Sequence, residues 1–230
     1  MVEYKKIKGS ILLVKSNVRQ ELGQIFLRLQ NFVDSNKFRN RSFTLDEFSK
    51  WYYKEKKSSY INDFKGFNIP SSFFINFFCG QFDPVSKEEA YLKEKVSQFS
   101  MGVDHPYYII GYLNNSGDTM EHELVHALYY LSRGYRGQHN ELIYSLKKSL
   151  NEEEIVNWKK FFNKFSYHQE IWDEEMGAYI IADKTTLIKN NLYTPTDFRH
   201  GAKLKNIFKN SFLFHFGVTA SKVINQNKSS

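Results

Sequence analysis

The chain has 230 residues, of which 41% are hydrophobic and 25% are charged, and this is the composition of an ordinary globular protein. It excludes disorder, a collagen-like fibre and a disulfide-stapled miniprotein as descriptions of the whole chain. Aromatic residues make up 17% of the sequence, and each buried ring removes a large apolar area from water. We therefore expect residues 1–230 to form a single domain with one well-filled core.

The net charge of +7 raises the question of a nucleic-acid partner. Arg, which reads bases and phosphates through two hydrogen bonds at once, is rare beside Lys, and the lysines are scattered along the chain. We therefore favour a solvated basic surface, and a nucleic-acid partner is a less favoured alternative. These features leave the oligomeric state open.

Two features bear on the compartment. The apolar run Ile11–Val14 is too short for the apolar region of a signal peptide, and no stretch approaches the roughly 18 apolar residues of a transmembrane helix. We expect no membrane partner and a cytoplasmic location, with export without a leader left open. The single Cys79 cannot form an intramolecular disulfide, and its neighbours Phe77 and Phe78 predict a packed, inert thiol.

The first half of the chain mixes strand and helix signals. An apolar, β-branched stretch broken by Gly9 predicts a hairpin or one bent strand over residues 4–16. Apolar residues at helical spacing predict a helix over residues 18–33. Capping patterns at Thr44 and Ser86 predict two further helices, and another helix can start near Ser71.

The second half is predicted to be almost entirely helical after one strand, Pro106–Leu113, that ends in a turn-rich segment. The predicted helices cover residues 118–132 and 138–150, a segment capped by Asn151, and residues 169–182 and 198–216. The polar tail 225–230 is expected to fray. We therefore predict an α+β fold that is mostly helical, with residues 1–104 as an N-terminal part of strands and helices.

The helix that opens near Asp118 carries the sequence HELVH over His122–His126, which is the HExxH pattern. Residues four apart lie on one helix face, so the two imidazoles can share one metal ion. Two neutral imidazoles suit Zn²⁺. Glu123 can reach a water at the open coordination position and act as a general base. The alternative is a pair of packing or capping histidines with a solvated Glu123.

A catalytic zinc site needs a third ligand. The continuation found in metzincin peptidases fails here, because Tyr129 stands at its Gly position and Ser132 at its third His position. Farther along, three consecutive acids at 173–175 precede an apolar run within the predicted helical segment Trp172–Ala182. A carboxylate from this second helix would complete a His₂Glu ligand set, which leaves one position for water.

Together, the two segments resemble the gluzincin class of zinc metallopeptidases. In several families of that class the third ligand begins an E-x-x-A pattern with another small residue one turn later, and Glu175–Ala178 with Ala182 matches this spacing. The resemblance implies that Glu175 is the third ligand of one zinc ion, with Glu174 as second choice. The small residues are expected to let this helix approach the HExxH helix closely.

The resemblance covers residues 107–182 and implies a zincin-like catalytic core within about residues 105–220. Such a core combines a small sheet, an active-site helix and a glutamate-ligand helix. The strand Tyr107–Leu113 would then lie at a sheet edge, where an extended peptide substrate can pair with it.

The sequence also departs from the resemblance. Many relatives place Asp four residues after the ligand Glu to orient a zinc-bound His, and here that position is Tyr179. The partner that orients a histidine is therefore open between Asp118, Asp173 and a backbone carbonyl. In addition, the segment 131–169 places two helices between the ligand segments, which predicts narrower substrate access.

Peptide hydrolysis also needs a donor for the charge that develops on the substrate carbonyl oxygen. Candidate residues are Tyr193, Arg199 and His200, of which His200 followed by Gly201 suits a loop-to-helix junction. A surface histidine at a helix start is the alternative for His200. His215, flanked by Phe214 and Phe216, is predicted to be a core histidine.

The sequence thus predicts a zinc-dependent peptidase that hydrolyses a peptide or protein substrate through water activated by Glu123. The alternative is a zincin-fold binding or regulatory protein with a structural or degenerate metal site, and association with nucleic acid is one form of it. An intact Glu123 disfavours degeneracy, because a purely structural site has no use for a base beside its first ligand. A peptidase that acts on DNA-associated proteins would combine the two.

Overall fold

The computed structural model describes residues 2–59, 64, 66–82, 84–103, 106–114, 117–192 and 195–228, and for residues 195–198 and 228 it describes the backbone alone. The chain divides into two compact units, residues 1–116 and 117–230. The first unit combines a four-stranded sheet with helices, and the described residues of the second are almost all helical. The predicted fold class, α+β and mostly helical, is confirmed at this level of detail.

The sheet of the first unit consists of β1 (Glu3–Ile7), β2 (Ile11–Ser16), β3 (Gly66–Pro70) and β4 (Tyr108–Leu113), in the order β1-β2-β4-β3. β1 and β2 form the predicted antiparallel hairpin. Its turn contains Gly9 at a φ of 73°, a conformation that a side chain disfavours. β2 pairs with β4 in parallel, and β3 pairs with β4 antiparallel.

β4 is an inner strand, so the prediction of an edge strand at Tyr107–Leu113 is wrong. It pairs with β2 on one side and with β3 on the other, and its backbone groups are therefore not available to an extended peptide. β4 also belongs to the first unit, whereas we predicted that the catalytic core begins near residue 105 and includes this strand. The strand β3, which closes one side of β4, was not predicted.

Within the described residues, the helices of the first unit are α1 (Arg19–Asp34), α2 (Leu45–Lys56), α3 (Ser71–Phe78) and α4 (Lys87–Ser100). The predicted caps are present. The Thr44 hydroxyl accepts the N–H of Glu47 at 3.0 Å, and Ser86 and Glu89 satisfy each other's backbone N–H in a full capping box. Helix ends defined by local hydrogen bonds were thus readable from the sequence.

Aromatic rings fill the core between α1 and the sheet. Phe26 of α1 stacks on Phe67 of β3 at 5.5 Å between centroids. Gly111 of β4 has no side chain where this ring lies, and a Cβ there would come within 2.5 Å of Phe26. Cys79, just after α3, is exposed, so the prediction of a packed thiol is wrong. Its neighbour Phe77 turns into the core instead.

The helices of the second unit are α5 (Gly117–Leu131), α6 (Arg133–Ser149), α7 (Glu152–Phe165), α8 (Trp172–Ala182), α9 (Lys184–Lys189), α10 (Pro195–Phe216) and α11 (Ala220–Lys228), with a 3₁₀ turn at Gln169–Ile171 before α8. α6 begins earlier than the predicted residue 138, because the Ser132 hydroxyl caps it by accepting the N–H of Tyr135 at 3.3 Å. The short α9 was not predicted. α8 packs against α5, α6 and α10.

The C-terminal region differs from the prediction in two places. The tail expected to fray from residue 225 continues α11 to Lys228. In this helix Asn227 is buried and donates to the carbonyl of Val223 at 2.6 Å. His215 is exposed and is not a core residue, because Phe212 and Phe216, one turn apart, form the buried stripe of α10.

Among the residues that the structure describes, no helix combines the length and the apolar character that a membrane crossing requires.

Candidate metal centre

Helix α5 presents two imidazoles on one face. The Nε2 atoms of His122 and His126 are 3.1 Å apart, as expected for residues four apart. The opposite face of α5 carries Met120, Leu124 and Leu128, all buried. α5 is therefore a core helix with the two imidazoles along one edge.

Helix α8 brings a carboxylate to the same place. Glu175 lies in its first turn and is 3% exposed. One of its oxygens is 3.5 Å from Nε2 of His122, and the other is 3.5 Å from Nε2 of His126. The ligand atoms of the three residues all lie within 4.8 Å of one another. The structure thus brings together His122, His126 and Glu175.

These separations fit one cation. In tetrahedral zinc with ligands at the usual bond lengths, neighbouring donor atoms lie about 3.3 Å apart, and here they lie 3.1 Å and 3.5 Å apart. In addition, Oε2 of Glu175 is buried and has no hydrogen-bond partner among the described residues. A buried carboxylate oxygen is costly unless a donor or a cation meets it. The group can therefore hold a metal ion.

Glu174 lies outside this group of three. Its Oε1 is 2.6 Å from Nδ1 of His126, on the side of the ring opposite the shared Nε2 position. Glu174 therefore contacts one of the two histidines at the nitrogen where we expected Asp118, Asp173 or a backbone carbonyl. Asp173 instead pairs with Lys147 at 2.7 Å. The three adjacent acids of α8 point to different neighbours because successive helical residues are about 100° apart.

The carboxylates dominate the electrostatics of the centre. Burial by itself lowers the pKa of His126, but Glu175, Glu174 and Glu123 outweigh it and raise that pKa to about 10. Burial by itself raises the pKa of Glu175, but His126, His122 and a hydrogen bond from Tyr167 outweigh it and hold that pKa below its ordinary value. The carboxylates thus favour a positive charge at His126, which a proton or a metal ion can supply.

Glu123, the predicted general base, is 5% exposed and follows His122 directly on α5. It is close enough to His126 to contribute to the raised pKa of that imidazole. The structure therefore places a third carboxylate beside the group of three, as the HExxH pattern predicts.

Tyr179, at the position where the gluzincin resemblance led us to expect Asp, contacts the candidate ligand His122 through its ring. The ring meets that of His122 edge to face at 4.7 Å between centroids. Its hydroxyl lies 3.2 Å from the hydroxyl of Tyr167, and burial raises its pKa above the ordinary value. Tyr167, between α7 and α8, was missed by sequence reasoning because no local pattern links it to residues on α8.

Gly177 of α8 lies against a buried histidine of α6. A Cβ on Gly177 would come within 1.9 Å of Nε2 of His139 on α6. His139 is fully buried, with Nδ1 3.3 Å from Oδ1 of Asn140. Gly177 thus lets α8 approach α6 closely, while α8 also packs against α5. His139 is therefore a core residue.

The predicted oxyanion donors are not part of the group of three. His200 lies on α10 and lines a cleft with Ser149, Arg199 and Lys203. Ser149 ends α6, where the helix dipole favours positive charge, so these basic side chains have a structural explanation. Tyr193 lies outside the described residues, and its predicted role stays a prediction, as does that of His200.

No protein-family model matches the chain, and comparisons with curated proteins and with solved structures find no match either.

Proposed function

We propose that the chain is a zinc-dependent peptidase of the gluzincin type. The observation that carries the proposal is the convergence of His122, His126 and Glu175 on one point, with Glu123 beside the first of them on the same helix. A bound zinc ion supplies a Lewis acid that activates water and polarises a substrate carbonyl.

The residues divide the work as follows. His122, His126 and Glu175 would hold the ion. Glu123 takes the proton from the attacking water and passes it to the leaving amine. Because Glu123 is buried, its carboxylate works in a low-dielectric surrounding, where charges interact more strongly than in water.

The number of ligands favours a catalytic site over a structural one. Structural zinc sites are closed by four protein ligands, whereas catalytic sites use three and leave the fourth position to water. Within the described part of the chain, the group contains three candidate ligands. This is the ligand number that catalysis requires.

The test begins with the metal content of protein purified without added zinc, and continues with hydrolysis of a degenerate peptide library. We expect about one equivalent of zinc per chain. Glu123→Gln should keep the zinc and lose about 10²-fold or more of the hydrolysis, and His122→Ala should lose both. Glu153→Gln, an exposed residue on α7, is the matched control and should behave as the wild type.

Two outcomes would contradict the proposal. A zinc-loaded wild type that cleaves no member of the library would favour the alternative of a binding or regulatory protein with a structural metal site. Hydrolysis that survives Glu123→Gln unchanged would show that this carboxylate is not the base.

A further inference from the structure

The surroundings of His126 determine which of its nitrogens faces a metal ion. Nδ1 lies 2.6 Å from Oε1 of Glu174, and because a carboxylate only accepts, Nδ1–H is the donor of this hydrogen bond. A metal ion that replaces the proton on the other nitrogen would then be bound by Nε2. This is the atom that lies 3.1 Å from His122 and 3.5 Å from Glu175.

We propose that Glu174 is a positioning residue of the centre, which fixes the ring orientation and tautomer of His126 and thereby strengthens metal binding. The inference rests on the proposed metal site. Neither the HExxH pattern nor the position four residues after Glu175 supplies a carboxylate partner for His126, since that position is Tyr179.

Helix α8 holds both sides of the His126 ring. Glu174 contacts Nδ1 and Glu175 faces Nε2, and the two residues are adjacent in the first turn. The side chain of His126 is 3% exposed, and the side chain of Glu174 is 24% exposed. Two adjacent residues of one helix turn therefore face the two nitrogens of a buried ring, and water has little access to that ring.

A purely structural role is the competing explanation. In that case the hydrogen bond only ties α5 to α8, and its loss would lower stability without a specific effect on the metal. The two roles differ in a measurable way: a positioning residue changes zinc affinity and the state of the imidazole nitrogens in protein that is still folded.

The experiment measures the zinc dissociation constant by competition with a chromogenic chelator. The variants are Glu174→Ala, Glu174→Gln and Glu174→Asp. We expect the Ala variant to bind zinc about 10- to 100-fold more weakly, the Gln variant to bind more weakly than the wild type because it lacks the charge, and the Asp variant to recover part of the loss. Asp173→Asn is the matched control, because this neighbour pairs with Lys147 at the surface, and it should keep wild-type affinity.

Nitrogen NMR of ¹⁵N-histidine-labelled protein gives a second readout. We expect the zinc-loaded wild type to show His126 with a protonated Nδ1 and a metal-bound Nε2, and the Ala variant to lose the shift that marks the Nδ1 hydrogen bond. Wild-type affinity in the Ala variant, or in the Gln variant should the Ala variant not fold, would overturn the inference. An equal loss in Asp173→Asn would do the same.

The zinc measurement needs no substrate, so the inference and the peptidase proposal can fail separately. A wild type that binds zinc but cleaves no peptide refutes the peptidase and leaves the Glu174 comparison intact. Equal affinities of the wild type and Glu174→Ala refute the inference and leave the peptidase standing. A wild type without zinc affinity refutes both.

Discussion

At the scale of single residues, the second unit contains two buried histidines in opposite electrostatic situations. His126 is surrounded by carboxylates that raise its pKa to about 10. His139 is fully buried, and burial lowers its pKa, with the hydrogen bond to Asn140 opposing this weakly. The first surrounding favours positive charge, and the second excludes it.

The lowered pKa of His139 predicts acid sensitivity. In the unfolded chain this histidine titrates near its ordinary value of 6.5, whereas the folded protein holds it neutral to lower pH. The unfolded state therefore binds more protons below pH 6.5, and the free energy of unfolding falls as the pH is lowered. The stabilising contribution is fully present above pH 6.5.

Urea unfolding at several pH values between 5 and 7.5, on wild type and His139→Gln, measures this effect. We expect the wild type to lose more stability than the variant on acidification, since Gln cannot be protonated. Parallel curves for the two proteins would show that His139 is not responsible.

Gly177 offers a second prediction at this scale. The Gly177→Ala side chain would meet Nε2 of His139 at 1.9 Å, so we expect it to lower the free energy of unfolding by about 1–3 kcal/mol through overpacking. The same change at Gly137, where a Cβ meets nothing within 4 Å, should raise it by about 0.5–1 kcal/mol. Denaturant unfolding checks both, and equal effects at the two glycines would contradict the contact.

At the scale of elements, one buried arginine joins four segments of the first unit. Arg28 of α1 binds Glu89 of α4 through two hydrogen bonds, at 2.7 Å and 2.6 Å. It also donates to the carbonyls of Phe43, Phe82 and Pro84. Since Glu89 belongs to the capping box of α4, the arginine connects a helix start with two loops.

We predict that Arg28→Ala lowers the free energy of unfolding by about 3–5 kcal/mol, because it leaves Glu89 as a buried charge without its partner. Lys50→Ala removes an exposed pair with Asp46, 2.7 Å long, and should cost about 0.5 kcal/mol or less. Thermal and denaturant unfolding measure both. A loss for Arg28→Ala as small as that for Lys50→Ala would show that the buried network contributes little.

Helix α8 connects the metal centre with the rest of the second unit. It carries Glu174, Glu175 and Tyr179, and its last turn is held by Lys205 of α10. The Lys205 ammonium contacts the carbonyl of Ile181 at 3.2 Å and Glu121 of α5 at 3.3 Å. The position of Glu175, the proposed third ligand, therefore depends on how this helix packs against its neighbours.

At the scale of the whole molecule, metal binding should couple to folding. A zinc ion that binds the folded state alone stabilises it by mass action, by about 2.7 kcal/mol at a free concentration 100 times the dissociation constant. We expect thermal unfolding to shift upward from EDTA to zinc in the wild type, and the shift to vanish in His122→Ala. An equal shift in that variant would place the binding elsewhere.

Several structural features of this protein follow from short-range patterns in its sequence. The sequence predicted the HExxH helix, the caps at Thr44 and Ser86 and the hairpin at Gly9, because each of them depends on interactions within a few residues. The same holds for the pairing of His122 with His126, since the helical repeat alone puts them on one face.

Only the tertiary structure decided the features that depend on distant segments. The sequence showed three adjacent acids on a second helix, and the resemblance favoured Glu175, but which acid faces the histidines follows from the rotation and docking of α8. β4 is an inner strand because β3 pairs with it. The need for a glycine at position 177 follows from its contact with His139 of α6. In each case the deciding contact joins residues far apart along the chain, and packing, unlike helical periodicity, leaves no short-range signal in the sequence.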